Sequence, residues 1–159
     1  MSTFLIAELP AGGGTLALCP LPGRYSPYAQ DMAVVADWRP DLVLSMTEED
    51  EMPPDLARNL AERAAWQHLP IRDFGAPGTE VIAAWPAVSA QARAVLAQGG
   101  KVLTHCAGGC GRSGMVALRL MVELGEDPDA ALHRLRQTRP CAVETEAQQV
   151  WAQAATRVF

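Results

Sequence analysis

The chain has 159 residues, with 13 Lys plus Arg against 18 Asp plus Glu and a formal net charge of −5. That length suits one core, and 49% apolar with 19% charged residues is a globular composition that excludes general disorder. The acidic balance offers no broad basic footprint, which argues against nucleic acid or an anionic membrane surface as main partner and requires any anion to be caught locally.

From the amino end, Thr3 to Leu9 is a β-leaning run closed by Pro10. Ala11-Gly-Gly-Gly then turns the chain into a second run, Thr15 to Cys19. After the Pro20, Pro22 and Gly23 breakers, Tyr28 to Trp38 reads as helix and Asp41 to Met46 as a buried strand. Thr47, followed by Glu48, Glu49 and Asp50, resembles a capped helix start. Pro53-Pro54-Asp55 sets up a helix from Leu56 to about Gln67, and His68 to Ile71 is the next expected strand. Arg72 to Gly78 is a loop, and a helix fits from Trp85 or Pro86 to Gln98, stopped by Gly99-Gly100. Lys101 to His105 is a strand that runs into a glycine-rich turn. Helices are expected over Ser113–Leu124, from Pro128 to about Gln137, and over Thr145–Val158. Alternating strands and helices predict a single α/β domain over residues 1–159, with a mostly parallel sheet of four or five strands flanked by helices.

Four cysteines (Cys19, Cys106, Cys110 and Cys141) are too few and too unevenly spaced for a disulfide framework. A reducing compartment follows as the expectation. The first residues show no basic leader with a long apolar run, and no window approaches 18 uninterrupted apolar residues, so the expected location is the cytoplasm.

The chemistry concentrates in Lys101-Val-Leu-Thr-His105-Cys106-Ala-Gly-Gly-Cys-Gly-Arg112-Ser113-Gly. Between strand and helix, Ala107, Gly108, Gly109, Cys110 and Gly111 form a loop whose backbone N–H groups can converge on one centre. The helix end adds its partial positive charge there. Arg112 supplies a planar fork that binds two oxygens of a phosphate. These surroundings favour the thiolate of Cys106, which makes it a credible nucleophile. A buried structural cysteine before a capped helix is the plainer alternative.

His105-Cys106-x5-Arg112-Ser113 resembles the signature loop of the protein tyrosine phosphatase superfamily. Its Cys-x-Gly-Gly-x-Gly-Arg-Ser-Gly form looks like the small dual-specificity phosphatases of the kinase-associated type. The resemblance covers about residues 40–155. It implies the cysteine-phosphatase fold and a two-step reaction through a phosphocysteine on Cys106. Arg112 and the loop amides would stabilise the transition state, Ser113 would stabilise the leaving thiolate, and His105 would orient the loop. It requires no metal or other cofactor. Asp73, in Ile-Arg-Asp-Phe-Gly-Ala-Pro-Gly, resembles the family's general acid, although the family more often has Pro where this chain has Arg72. An isolated loop Asp is otherwise a turn former.

Arg139-Pro-Cys-Ala-Val-Glu-Thr145-Glu-Ala-Gln148 resembles the family's last motif, in which Gln148 would position the hydrolytic water. The adjacent Gln149 leaves the register open, and an exposed helix glutamine is the plainer alternative. Cys110 is either a small apolar filler or a reversible disulfide partner for oxidised Cys106. Cys19 and Cys141 have no partner pattern. His68 and His133 are not spaced as metal ligands, and the four Trp residues fall on expected helices. The resemblance implies a monomer acting on a phosphorylated protein or small phosphate ester. Two competitors remain: a catalytically idle phosphoprotein-binding module, and a rhodanese-like or redox-sensing loop cysteine.

Overall fold

The structure is a computed structural model that describes residues 3–158. Five strands, β1 (Ala7–Ala11), β2 (Gly14–Cys19), β3 (Leu42–Ser45), β4 (Ala65–His68) and β5 (Lys101–His105), form one sheet in the order β1-β2-β5-β3-β4. β2, β5, β3 and β4 run parallel, and β1 pairs antiparallel with β2 at one edge. This is the mostly parallel sheet that the alternating pattern predicts.

Strand side chains alternate between faces, and the core divides accordingly. Leu16, Leu18, Leu42, Leu44 and Val102 face a large core with α3 (Thr79–Ala97), α4 (Gly111–Glu123), α5 (Pro128–Thr138) and α6 (Glu146–Gln153). Ala17, Cys19, Val43 and Leu103 face a smaller core with α1 (Tyr28–Trp38) and α2 (Leu56–Arg63). The register lines up Cys19, His105, Ser45 and His68 in one row at the carboxyl edge of the sheet. In open α/β sheets, ligands collect at that edge.

Several element boundaries differ from expectation, for physical reasons. Pro10 lies inside β1 rather than ending it. Opposite Thr15 on an edge strand, its missing N–H is tolerated. The hairpin turn is only Gly12-Gly13, both at positive φ (58° and 97°), as a tight two-residue connection requires. The helix expected to reach Gln67 stops at Arg63, and the strand expected at His68–Ile71 forms instead at Ala65–His68. The open edge of β3 decides this, through Ala65 N–H to the Asp41 carbonyl (3.2 Å) and Leu69 N–H to the Ser45 carbonyl (2.8 Å). Trp66 therefore lies on a strand, not a helix.

α3 begins at Thr79, six residues before Trp85, and carries Pro86 in its interior. Thr47 does not cap a helix. Glu48 caps a short 3-10 turn, Glu49–Glu51, and the Glu51 carboxylate returns to the Glu48 N–H (2.7 Å). α4 starts at Gly111 and so includes Arg112, and α6 ends at Gln153, short of Val158. No helix among the described residues is long and apolar enough to cross a membrane.

Candidate active site

β5 ends at His105, and the next peptides are held from outside, one after another. His105 Nδ1 lies 3.3 Å from the Cys106 carbonyl, and Leu21 N–H donates to the Ala107 carbonyl (2.9 Å). Arg139 donates from Nη2 to the Gly108 carbonyl (2.9 Å) and from Nε to the Gly109 carbonyl (3.0 Å). Val143 N–H donates to the Cys110 carbonyl (3.1 Å). No peptide bond among the described residues is cis, and a trans peptide directs its N–H opposite to its C=O. Five outward carbonyls therefore turn the amides of Ala107, Gly108, Gly109, Cys110 and Gly111 toward the hollow of the loop, at the amino end of α4. Such an arrangement is suited to cradle an anion. Gly109 has φ of 73°, and a β-carbon there would come within 2.7 Å of the Cys19 and Pro20 backbone, so only glycine fits.

Arg112 is 1% exposed, a cation buried almost completely. Its Nη1 and Nη2 form a two-pronged pair with Glu51 (2.7 and 2.9 Å), Nη1 also reaches the Ile71 carbonyl (2.9 Å), and Nη2 lies 3.3 Å from Asp73 Oδ1. Nε is buried without a hydrogen bond in the protein. Burial works against the arginine charge, but the Glu51 bond and the neighbouring Cys106, Glu51 and Asp73 charges outweigh it and hold the guanidinium protonated above its ordinary range. In return the Arg112 bond pulls the Glu51 carboxyl below its ordinary range, against a smaller opposing effect of burial. The sequence presented Glu51 only as an acid near a helix start. Its partner lies 61 residues away, and nothing local signals the pairing.

Cys106 is 2% exposed, with Sγ 3.2 Å from Ser113 Oγ. Behind it, burial pushes His105 down to about 4, so the ring is neutral at pH 7. The Cys106 carbonyl can only accept, so the neutral ring carries its proton on Nδ1 and Nε2 accepts from the Ser45 hydroxyl (2.5 Å), which in turn accepts from Trp66 Nε1–H (2.8 Å). Ser45 and Trp66 were not legible as site residues.

Asp73 stands on the facing loop, residues 72–78, about half exposed, and its Oδ1 accepts from Phe74 N–H (3.0 Å). Two side chains from the α6 cap hold this loop. Thr145 Oγ1 donates to the Phe74 carbonyl (3.2 Å) and Gln148 Nε2 to the Gly75 carbonyl (3.1 Å). Thr145 Oγ1 also accepts from Gln148 N–H (3.2 Å), closing the cap of α6. Gln148 is fully buried and packs on Gly111, where a β-carbon would meet its amide at 3.0–3.1 Å. Gln149 instead pairs with Gln153 (3.1 Å). Of the two glutamines, Gln148 is the one beside the loop.

One cysteine reading is corrected. Cys110 is neither an apolar filler nor paired with Cys106; it forms a disulfide with Cys141, which had no legible partner. Cys106 and Cys19 are free and buried. Both disulfide cysteines line a cleft of about 480 Å³ over the cradle, whose rim includes Leu5, Arg24, Tyr25 and Phe74. Among the described residues, no group of His, Cys, Asp and Glu could hold a metal ion.

A cysteine and an arginine set around an amide cradle, at the carboxyl edge of a mostly parallel sheet, define a phosphatase of the cysteine type. Residues 27–152 match the family model described as Swiss Army Knife protein, DSP-PTPase phosphatase domain, and the chain belongs to that family. The crystal structure of Tk-PTP in its active form is similar at 30% identity and a TM-score of 0.72, over 92% of this chain and 95% of that one. Kinase associated phosphatase, with its catalytic cysteine substituted by serine, shares the fold at 24% identity and a TM-score of 0.81, over 96% and 93%. PTPMT1 in complex with PI(5)P does so at 17% identity and a TM-score of 0.74, over 93% of each chain. No curated protein sequence matches the chain significantly. The protein is a phosphatase, and its family implies phosphorylated substrates.

Proposed function

We propose that the protein hydrolyses phosphate monoesters, aryl esters such as phosphotyrosine above all, through a phosphocysteine intermediate. The observation that carries this reading is a buried free thiol at the start of a loop whose five carbonyls are held from outside, with the buried Arg112 at the loop's end. The thiolate of Cys106 attacks phosphorus, the S–P bond forms, and the ester P–O bond breaks as Asp73 donates its proton to the departing oxygen. Water then attacks phosphorus, the S–P bond breaks, and the Asp73 carboxylate takes the water's proton. Ser113 Oγ supports the thiolate as it leaves, and Arg112 with the amides holds the equatorial oxygens in both steps. In the second step Gln148, which packs on Gly111, positions the water.

The rim favours an aromatic leaving group. Tyr25 (40% exposed) and Phe74 (58% exposed) flank the cleft with Leu5, and the loop from Ala107 to Gly111 contains no lysine for a multiply phosphorylated headgroup. Phe74 holds φ of 62°, a strained setting for a large side chain that makes sense where the ring serves a ligand. Cys106→Ser is expected to abolish hydrolysis of an aryl phosphate, and the wild type, acid-quenched during turnover, to show one added phosphoryl group on Cys106 by mass spectrometry. Undiminished turnover by the variant overturns the mechanism. A panel of phosphotyrosyl, phosphoseryl and phosphoinositide substrates ranks the leaving groups.

A further inference from the structure

The glycines of the phosphate loop leave its peptides free to rotate, and one flipped peptide would present a carbonyl to the anion instead of an N–H. Main-chain donors restrain the Ala107 and Cys110 carbonyls, but those of Gly108 and Gly109 are held by a single guanidinium, that of Arg139. Arg139 lies just past the end of α5, in a turn closed by Ala142 N–H to its own carbonyl (2.9 Å). Arg136 steadies that turn through the Ala142 and Val143 carbonyls (both 2.9 Å). Two residues beyond Arg139, Cys141 is bonded covalently to Cys110 of the loop itself, and Arg139 Nη2 lies 3.9 Å from the Cys110 sulfur.

We propose that Arg139 is a positioning residue of the phosphate loop and that the Cys110–Cys141 disulfide is its brace, so that phosphate capture depends on the redox state of this bond. The proposal rests on the reading of the loop as a phosphate cradle. Cys141 is exposed, so a dithiol can reach the bond. The S–S bond breaks, Cys110 and Cys141 become thiols, and the dithiol closes to its own disulfide. The two segments are then joined only by hydrogen bonds, and the Gly108 and Gly109 peptides gain freedom that anion binding must again remove.

The test measures inorganic phosphate affinity, by calorimetry and as a competitive inhibitor, with kcat and KM for an aryl phosphate. It compares the wild type before and after dithiothreitol with Arg139→Lys, Arg139→Met and Cys141→Ser. Arg139→Lys, which keeps the charge and loses the fork, is expected to weaken phosphate about tenfold, the equivalent of one charge-assisted hydrogen bond. Arg139→Met should weaken it further. Cys141→Ser and the reduced wild type should agree with each other at about threefold weaker, from lost preorganisation, and dithiothreitol should leave Cys141→Ser unchanged. KM should rise while the dependence of kcat on leaving group stays fixed, a split that a loss of global stability does not produce. Thermal melts confirm that each variant is folded, and Arg139→Lys serves if Arg139→Met is not. Unchanged phosphate affinity in folded Arg139 variants overturns the positioning role. A wild type indifferent to dithiothreitol, with Cys141→Ser equal to it, overturns the brace. A wild type that binds phosphate redox-dependently but hydrolyses no ester would overturn the proposed function and leave the clamp standing; one that binds no phosphate overturns the clamp.

Discussion

Residues 106–111 and residues 72–78 face one another across the same cleft, but the first loop has five consecutive carbonyls restrained and a disulfide, while the second is tied by Thr145, Gln148 and the Arg112–Asp73 pair. The first loop is buried except at Gly108 and Cys110, which are partly buried, and Asp73 on the facing loop is half exposed. The contrast fits what the proposed mechanism asks of each. Stabilising charge on a phosphoryl group needs dipoles already in place, because reorganising them during the reaction would forfeit the gain. A proton donor must admit the ester and then meet its oxygen, so light tethering suits it.

Removing the donor while leaving the cradle intact gives the largest expected effect. Asp73→Asn should lower turnover of alkyl phosphates by about 10²–10⁴-fold, the usual worth of a positioned general acid, and spare esters whose leaving group needs no proton. An equal effect on all esters would assign the acid elsewhere. On the rigid side, His105 tests how far burial defines the cradle. Its folded value of about 4 lies below the unfolded 6.5, so between these values the unfolded chain binds a proton that the native state refuses. Stability is therefore expected to fall as pH drops through 6.5 and to level near 4. The total is about 3 kcal/mol, at roughly 1.36 kcal/mol per pH unit, measurable by urea unfolding across that range. His105→Asn should flatten the slope.

The smallest effect belongs to the tether. Thr145→Val should lower alkyl phosphate turnover about fivefold, the worth of one neutral hydrogen bond, and Thr145→Ser should restore it. Thr145→Asp can still accept from Gln148 N–H but cannot donate to the Phe74 carbonyl. If it matches Val, the tether matters; if it matches Ser, only the helix cap does.

The same contrast explains what the sequence could disclose. Cys106, Arg112 and the glycines between them are contiguous, so their spacing alone implied a strand, a cradle and a helix. Asp73 was accessible through its neighbours in the loop. Glu51, Arg139 and the Cys110–Cys141 bond join segments 61, about 30 and 31 residues apart, and nothing in the local sequence of any of these residues signals its partner. The misplaced β4 has the same origin. Ala64-Ala65-Trp66-Gln67 continues a helical composition, and only the unpaired edge of β3 draws it into the sheet. Choosing Gln148 over Gln149 likewise needed the surface of Gly111 to compare them against.

The buried Nε of Arg112, with no hydrogen bond in the protein, sets a relation between heat resistance and speed. An unsatisfied buried donor costs about 1–3 kcal/mol, and a tetrahedral oxyanion in the cradle would satisfy it. Inorganic phosphate, the product of a phosphatase, is therefore expected to bind the native state and to add roughly 2.7 kcal/mol of stability at a hundred times its dissociation constant. The medium that best protects the fold from melting is the one in which the site is most often occupied by what it has just released.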